Sequence, residues 1–177
     1  VSAVNAAVKL NKLLQIACGS VYTDTGEVVD FDASSRLQVV KEVIDEASHK
    51  VLVFVPFTHT IKQVSDYLTK NNISNEIING DVPVHRRTEI VRSFQTLEKP
   101  RVLIIQPQAA SHGLTLTAAD TVIWYAPVTS VETYLQANAR IDRPGQKNAM
   151  TVVHIKGSPV EGRLYSMLRS KIGRAHV

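Results

Sequence analysis

"VLVFVPF", Val51 to Phe57, is seven apolar residues with no polar interruption, and three of them are valines. Such a run has no face to offer to water. A strand of this kind is covered on both sides, as in a parallel sheet flanked by helices. Further along lie "RVLIIQP" (from Arg101) and "TVIWYAP" (from Thr121), with shorter runs "ISNEII" (Ile73 to Ile78) and "TVVHI" (Thr151 to Ile155). The intervening segments have helical periodicity. One spans about Thr60 to Lys70; another has Pro83 in its first turn and turns Ile90, Val91 and Phe94 inward. A third contains Gln136, and a closing helix covers Pro159 to Arg169. Strand–helix alternation at this spacing specifies an α/β domain with a mainly parallel sheet and helices on both faces.

Ahead of the first strand, Val4, Val8, Leu10, Leu13, Leu14 and Ile16 or Ala17 fit one apolar helical face, which Gly19 stops. "VYTDTGEVVDF" reads as a hairpin around Asp24-Thr25-Gly26. A helix with a serine cap at Ser34 or Ser35 then presents Leu37, Val40, Val43 and Ile44. Residues 1–33 are thus expected to be a lead-in of helix and hairpin, and residues 34–170 the α/β domain.

The chain has 177 residues, 44% of them hydrophobic and 20% charged, the balance of a soluble globular domain. No run is long enough to span a membrane, and no signal peptide is visible. The single cysteine, Cys18, excludes an intrachain disulfide and suits a reducing cytoplasm. The net charge of +4 points towards nucleic acid, but part of it lies in the tail. "IGRAHV", Ile172 to Val177, is the translation of ATC GGA AGA GCA CAC GTC, a common sequencing-adapter read, and Lys171 would share the codon boundary. Residues 171–177 are therefore expected to be foreign to the protein. Setting aside Lys171 and Arg174 takes 20 basic residues to 18 against 16 acidic, a net of +2.

The motifs of self-contained hydrolases are missing. There is no G-x-x-x-x-G-K-[ST] phosphate loop, no Cys/His metal spacing and no G-x-S-x-G elbow. What remains is "QANARIDRPGQ", Gln136 to Gln146. Gln136, Arg140 and Arg143, at i, i+4 and i+7, would share one helical stripe, with Pro144 ending the helix near Arg143. Alone, the arginines read as caps of a negative helix end, with Asp142 between them as an exposed ion-pair partner. Equally, two guanidinium forks suit a phosphate held elsewhere. "QPQAASHGLTLTAAD" (from Gln106) follows a buried strand and supplies a flexible glycine, Gly113, among hydroxyls; Thr58, His59 and Thr60 could touch a phosphate backbone or cap a helix.

Order and spacing together are more specific. "VLVFVPF", then Gly80, Arg87 and Phe94 in "NGDVPVHRRTEIVRSF", then "RVLIIQPQAASHGLTLTAADTVIWYAP", then "YLQANARIDRPGQKNAMTVVHI" resemble motif IV, the Gly…Arg…Phe segment, motif V and motif VI of superfamily 2 helicases. More closely, the chain resembles the second RecA-like lobe of Swi/Snf-like double-stranded DNA translocases, including the small helicases of phages and mobile elements. "KLLQIACG" and "SSRLQVV" resemble that family's lead-in.

The resemblance implies a three-layer RecA-like domain serving as the C-terminal half of an ATP-dependent DNA helicase or translocase. Arg140 and Arg143 would be arginine fingers on ATP and Mg²⁺ bound mainly by an upstream lobe of the same polypeptide. Gly113 and Gln136 would face the nucleotide. Thr58, Gln108, Ser111 and His112 would contact the DNA backbone. This half alone would not hydrolyse ATP, and no membrane partner is implied. Ala110, Ala139, Asp142 and Pro144 depart from the family's usual residues, and Asp142 would oppose a phosphate unless it points away. The H-R-x-G-R form of the DEAD-box branch is absent. The other function class left open is a degenerate, non-catalytic module for protein or nucleic-acid binding; an unrelated flavodoxin-like domain fits the motif order poorly.

Overall fold

A computed structural model describes residues 3–111 and 113–172. His112 and residues 173–177, most of the suspected tail, lie outside the described residues. In chain order the elements are α1 (Ala3–Cys18), β1 (Ser20–Tyr22), β2 (Val28–Asp30), α2 (Ser34–Glu46), β3 (Lys50–Phe54), α3 (Thr58–Lys70), β4 (Asn75–Ile78), α4 (Val84–Thr96), β5 (Val102–Ile105), a 3₁₀ turn (Pro107–Ser111), β6 (Ala119–Trp124), α5 (Val131–Asn138), β7 (Thr151–His154) and α6 (Pro159–Ile172).

β3 to β7 form one parallel sheet in the order β4-β5-β3-β6-β7. The unbroken apolar runs therefore occupy its centre, as their composition requires. Side chains of alternate parity divide between two cores. Leu52, Phe54, Leu103, Ile105, Val122 and Trp124 meet Ile90 and Phe94 of α4, Tyr134 and Ala137 of α5, and Tyr165 and Leu168 of α6. Val51, Val53, Val102, Ile104 and Ile123 meet Val40 and Ile44 of α2 and Ile61, Val64 and Leu68 of α3. The expected three layers are present; from β3 the chain passes to the edge strand β4, returns through β5 and crosses to β6 and β7, so the connections leaving the neighbours β3 and β6 run in opposite directions. That reversal opens a crevice at the carboxyl edge of the sheet, the usual ligand position of open α/β folds.

Several local expectations are corrected. No serine caps α2: its N-cap is Ala33, and Asp32 Oδ1 accepts the Ser34 N–H at 2.9 Å instead. α3 starts at Thr58 behind an uncapped Phe57, so neither Thr58 nor Thr60 is the cap. β4 starts at Asn75, because the Ile73 N–H closes the end of α3 on the Leu68 carbonyl. The apolar face of α1 is only partly used: Leu14 and Cys18 are buried, whereas Val8, Leu13 and Ile16 are exposed. Gly19 does stop α1, with φ +100°, and a Cβ there would stand 2.5 Å from that of Ala33. β1 and β2 form the expected antiparallel hairpin. No described helix is long and apolar enough to cross a membrane.

A polar network ties the layers together. Arg36 of α2 pairs with Glu161 of α6 at 2.8 Å, with side-chain exposures of 7% and 0%. Arg36 also donates to the Tyr125 carbonyl at 2.5 Å, while Glu161 accepts from the Gly157 N–H and the Ser158 hydroxyl, each at 2.9 Å. On the other face the Tyr134 hydroxyl meets His154 Nε2 at 2.7 Å, beside Tyr165.

Burial, then the charge of Arg169, pushes the His154 imidazole down to about 4. An unfolded histidine titrates near 6.5. Between those pH values the unfolded chain holds a proton that the folded chain refuses, so stability is full at neutral pH and declines as pH falls from about 6.5 to about 4. The ring is partly exposed, and screening trims the loss to roughly 1–2 kcal/mol. Urea denaturation at pH 4.5 and 7 should show His154→Asn losing less stability on acidification than the parent chain. Equal losses would contradict the assignment.

Candidate functional site

The carboxyl edge of the sheet carries the loops after β3, β5 and β6. Phe57, Gln108, Pro127 and Ser130 converge there on a cleft of about 100 Å³, closed on one side by Asn11 and Leu14 of α1. Thr58 follows Phe57 and is exposed at the first turn of α3. No side chain caps that helix, which leaves first-turn N–H groups available to an outside acceptor. Gln108 sits in the 3₁₀ turn that carries the backbone of Ser111. Thr60, by contrast, is fully buried, and His59 bonds to Asp30 at 3.0 Å.

The arginines are elsewhere. The shared stripe does not exist, because α5 ends at Asn138 and Arg140 and Arg143 lie beyond it. Past the helix the chain tightens into short turns, with N–H to carbonyl bonds from Arg140 to Ala137, Ile141 to Asn138 and Gln146 to Arg143. The Arg140 carbonyl, which could have no helical partner because Pro144 lacks an N–H, accepts the Leu116 N–H at 3.0 Å, and Ile141 is fully buried. Ala139 is in ordinary αR geometry, so its position does not require glycine. Gln136 remains on α5, where its amide donates to Glu132 at 2.9 Å.

Arg140 is buried at 8% exposure. Burial, then the like charge of Arg143, lowers its pKa from the ordinary guanidinium value. Arg143 is only partly buried. Its Nε caps the Ala139 carbonyl at 3.2 Å, and its Nη1 lies 3.3 Å from the Thr115 hydroxyl. Both partners are neutral. Among the described residues no carboxylate pairs with Arg143, and the adjacent Asp142 is exposed and forms no ion pair. Arg143 is thus a helix-end cap and a charged fork at once: the Nε contact orients the guanidinium without neutralising it.

Two contacts went unnoticed in the sequence. Thr115, downstream of Gly113, receives Arg143. Gln146 donates to the Ala119 carbonyl at 2.8 Å and so ties the far end of the turn to the start of β6. Gly113 has φ +74° and open space where a Cβ would stand, so backbone conformation alone selects glycine there. The arginine turn therefore packs on the stretch from Gly113 to Ala119.

Residues 35–145 match the helicase conserved C-terminal domain. The chain belongs to that family. It is 30% identical over 152 residues to the CHD3-type chromatin-remodeling factor CHR7 of Arabidopsis thaliana, a match covering 82% of this chain and 13% of that protein. It is 32% identical over 130 residues to the SWI/SNF-related matrix-associated actin-dependent regulator of chromatin subfamily A-like protein 1 homolog of Caenorhabditis elegans, covering 72% of this chain and 19% of the relative. The chain thus spans less than a fifth of the length of these relatives. Among solved structures, the C-terminal part of the Fun30 ATPase domain superposes with a TM-score of 0.71 at 20% identity, over 77% of this chain and 46% of the other. The C-terminal domain of the DEAD-box protein Dbp5 gives 0.68 at 18% identity, covering 81% of each. The helicase C-lobe is thus similar in sequence to Snf2-family remodelers, and its likeness to both solved structures is one of fold.

Proposed function

We propose that this helicase C-lobe is half of an ATP-dependent DNA translocase or helicase, of the small phage or mobile-element type that its motif order resembles. The Arg143 fork carries the reading: it is partly exposed, oriented by neutral oxygens, and without a described carboxylate partner. A planar cation held in this way is suited to phosphate oxygens approaching from outside the lobe. ATP and Mg²⁺ would be bound mainly by an upstream lobe; the triphosphate supplies a phosphoryl group whose developing charge the guanidinium stabilises. Arg140, more deeply placed, holds the turn through its carbonyl and adds positive potential behind Arg143. Gly113 lets the intervening stretch turn, and Gln136 would reach the nucleotide only by releasing Glu132.

Duplex DNA would lie along the carboxyl edge, on backbone contacts from Thr58, Gln108, Ser111 and His112. The uncapped start of α3 supports this, since first-turn N–H groups are natural phosphate ligands. A single, buried cysteine, Cys18, would suit a cytoplasmic setting.

ATP hydrolysis in the presence of duplex DNA tests the proposal. A polypeptide carrying the upstream lobe should turn over, and the 177-residue chain alone should not. A long polypeptide without turnover would favour the non-catalytic binding module. The isolated chain should bind duplex DNA weakly, without base preference, and less at higher salt. Affinity that is tight and indifferent to salt would contradict the backbone contacts.

A further inference from the structure

We propose that Gln95, in the last turn of α4, is a positioning residue that sets the arginine turn through the stretch it packs on; the consequence for turnover rests on the function proposed above. The Gln95 Oε1 accepts the Ala118 N–H at 2.8 Å, and its Nε2 donates to the Thr117 hydroxyl at 3.1 Å. The other side of the same stretch holds the arginines: the Leu116 N–H donates to the Arg140 carbonyl at 3.0 Å, and Thr115 meets Arg143 at 3.3 Å. Thr115 and Leu116 thus bond to the turn, and the next two residues, Thr117 and Ala118, bond to α4. From Gly113 to Ala118 the chain has no helix or strand ladder of its own, and it begins at a glycine with φ +74°. Its register must come from outside, and the Gln95 amide grips it at two points.

The grip is anchored. Phe94 beside it is fully buried, and Ile90, one turn back, is 3% exposed. Lys50 donates to the Phe94 carbonyl at 2.6 Å and to that of Leu97, closing the end of α4. At the opposite end of the helix, Arg87 holds the loop after β4 through the Val82 and Asn79 carbonyls at 2.8 and 3.0 Å. A helix fixed in this way transmits position. Losing Gln95 would let Leu116 and Thr115 drift and blur the placement of the Arg143 fork, on which phosphoryl-transfer geometry depends steeply.

Two variants separate positioning from simple stability. Gln95→Met keeps length and removes both bonds. Gln95→Glu keeps the acceptor for the Ala118 N–H, and the Thr117 hydroxyl can rotate to donate to the second oxygen. Amide hydrogen exchange on the 177-residue chain should show Leu116 and Ala118 exchanging about tenfold faster in Gln95→Met, with strand amides unchanged and Gln95→Glu near the parent. In the two-lobed polypeptide, kcat should fall about tenfold in Gln95→Met with KM for ATP unchanged, and recover in Gln95→Glu. Uniformly faster exchange over the whole chain, or no change at Leu116, would overturn the proposal. So would a loosened stretch with unaltered kcat. A parent polypeptide that never hydrolyses ATP would sink the translocase reading instead, and exchange would still decide whether Gln95 sets the turn.

Discussion

Arg143→Ala should lower the DNA-stimulated ATP turnover of the two-lobed polypeptide by on the order of a thousandfold, the loss typical of a removed arginine finger. The fork is oriented by the Ala139 carbonyl and Thr115 and has no described carboxylate partner, so its charge remains available to a phosphoryl group. Stability should barely change, because both partners are neutral and the side chain is only partly buried; a lost helix-end cap costs about 1 kcal/mol. Arg143→Lys should recover little turnover. An ammonium is a point charge and cannot hold the Ala139 carbonyl while presenting a planar fork. Melting curves recorded beside the kinetics divide the two roles. Parent-like turnover in a slightly less stable variant would leave Arg143 as a cap alone.

Glu161→Ala should cost about 3–5 kcal/mol, the penalty for leaving a buried charge without its partner. Arg36 would then keep its guanidinium at 7% side-chain exposure, with only the Tyr125 carbonyl as an acceptor from this network. The Gly157 N–H and the Ser158 hydroxyl would lose their acceptor as well. Against a total stability of roughly 5–15 kcal/mol for a domain of this kind, that loss approaches unfolding. Replacing both partners, as Arg36→Met with Glu161→Leu, should restore most of it, since a packed apolar pair can equal a buried ion pair. Urea denaturation of the two single variants and the double variant gives the comparison. Single variants within 1 kcal/mol of the parent would mean that water reaches the pair.

The sheet was legible because its strands are buried on both faces, and a run such as Val51 to Val55 cannot hide that. Helix ends were less so. Pro144 sets an outer limit to the helix carrying Gln136, but α5 ends earlier, at Asn138, where the Arg140 and Ile141 N–H groups turn to the carbonyls three residues back. Period 3.6 continued on paper where the chain had already tightened into turns closed three residues back. The arginines were found by residue type and motif order, and their placement on one stripe with Gln136 was wrong. Asp142 between them is exposed and, among the described residues, in no ion pair. Gln95 and the Arg36–Glu161 pair leave no local mark, since their partners lie 22 and 125 residues away. Half of the apolar face of α1 proved exposed, because periodicity reports what could be covered and not what covers it.

The most direct test of the central claim is a structure of the two-lobed polypeptide with ADP and an aluminium fluoride mimic of the transferring phosphoryl group. The expected result is the Arg143 guanidinium within hydrogen-bonding distance of the mimic, with the Leu116 bond to the Arg140 carbonyl retained. A structure in which the mimic is bound between closed lobes while Arg143 stays on Ala139 and Thr115, out of its reach, would contradict the account.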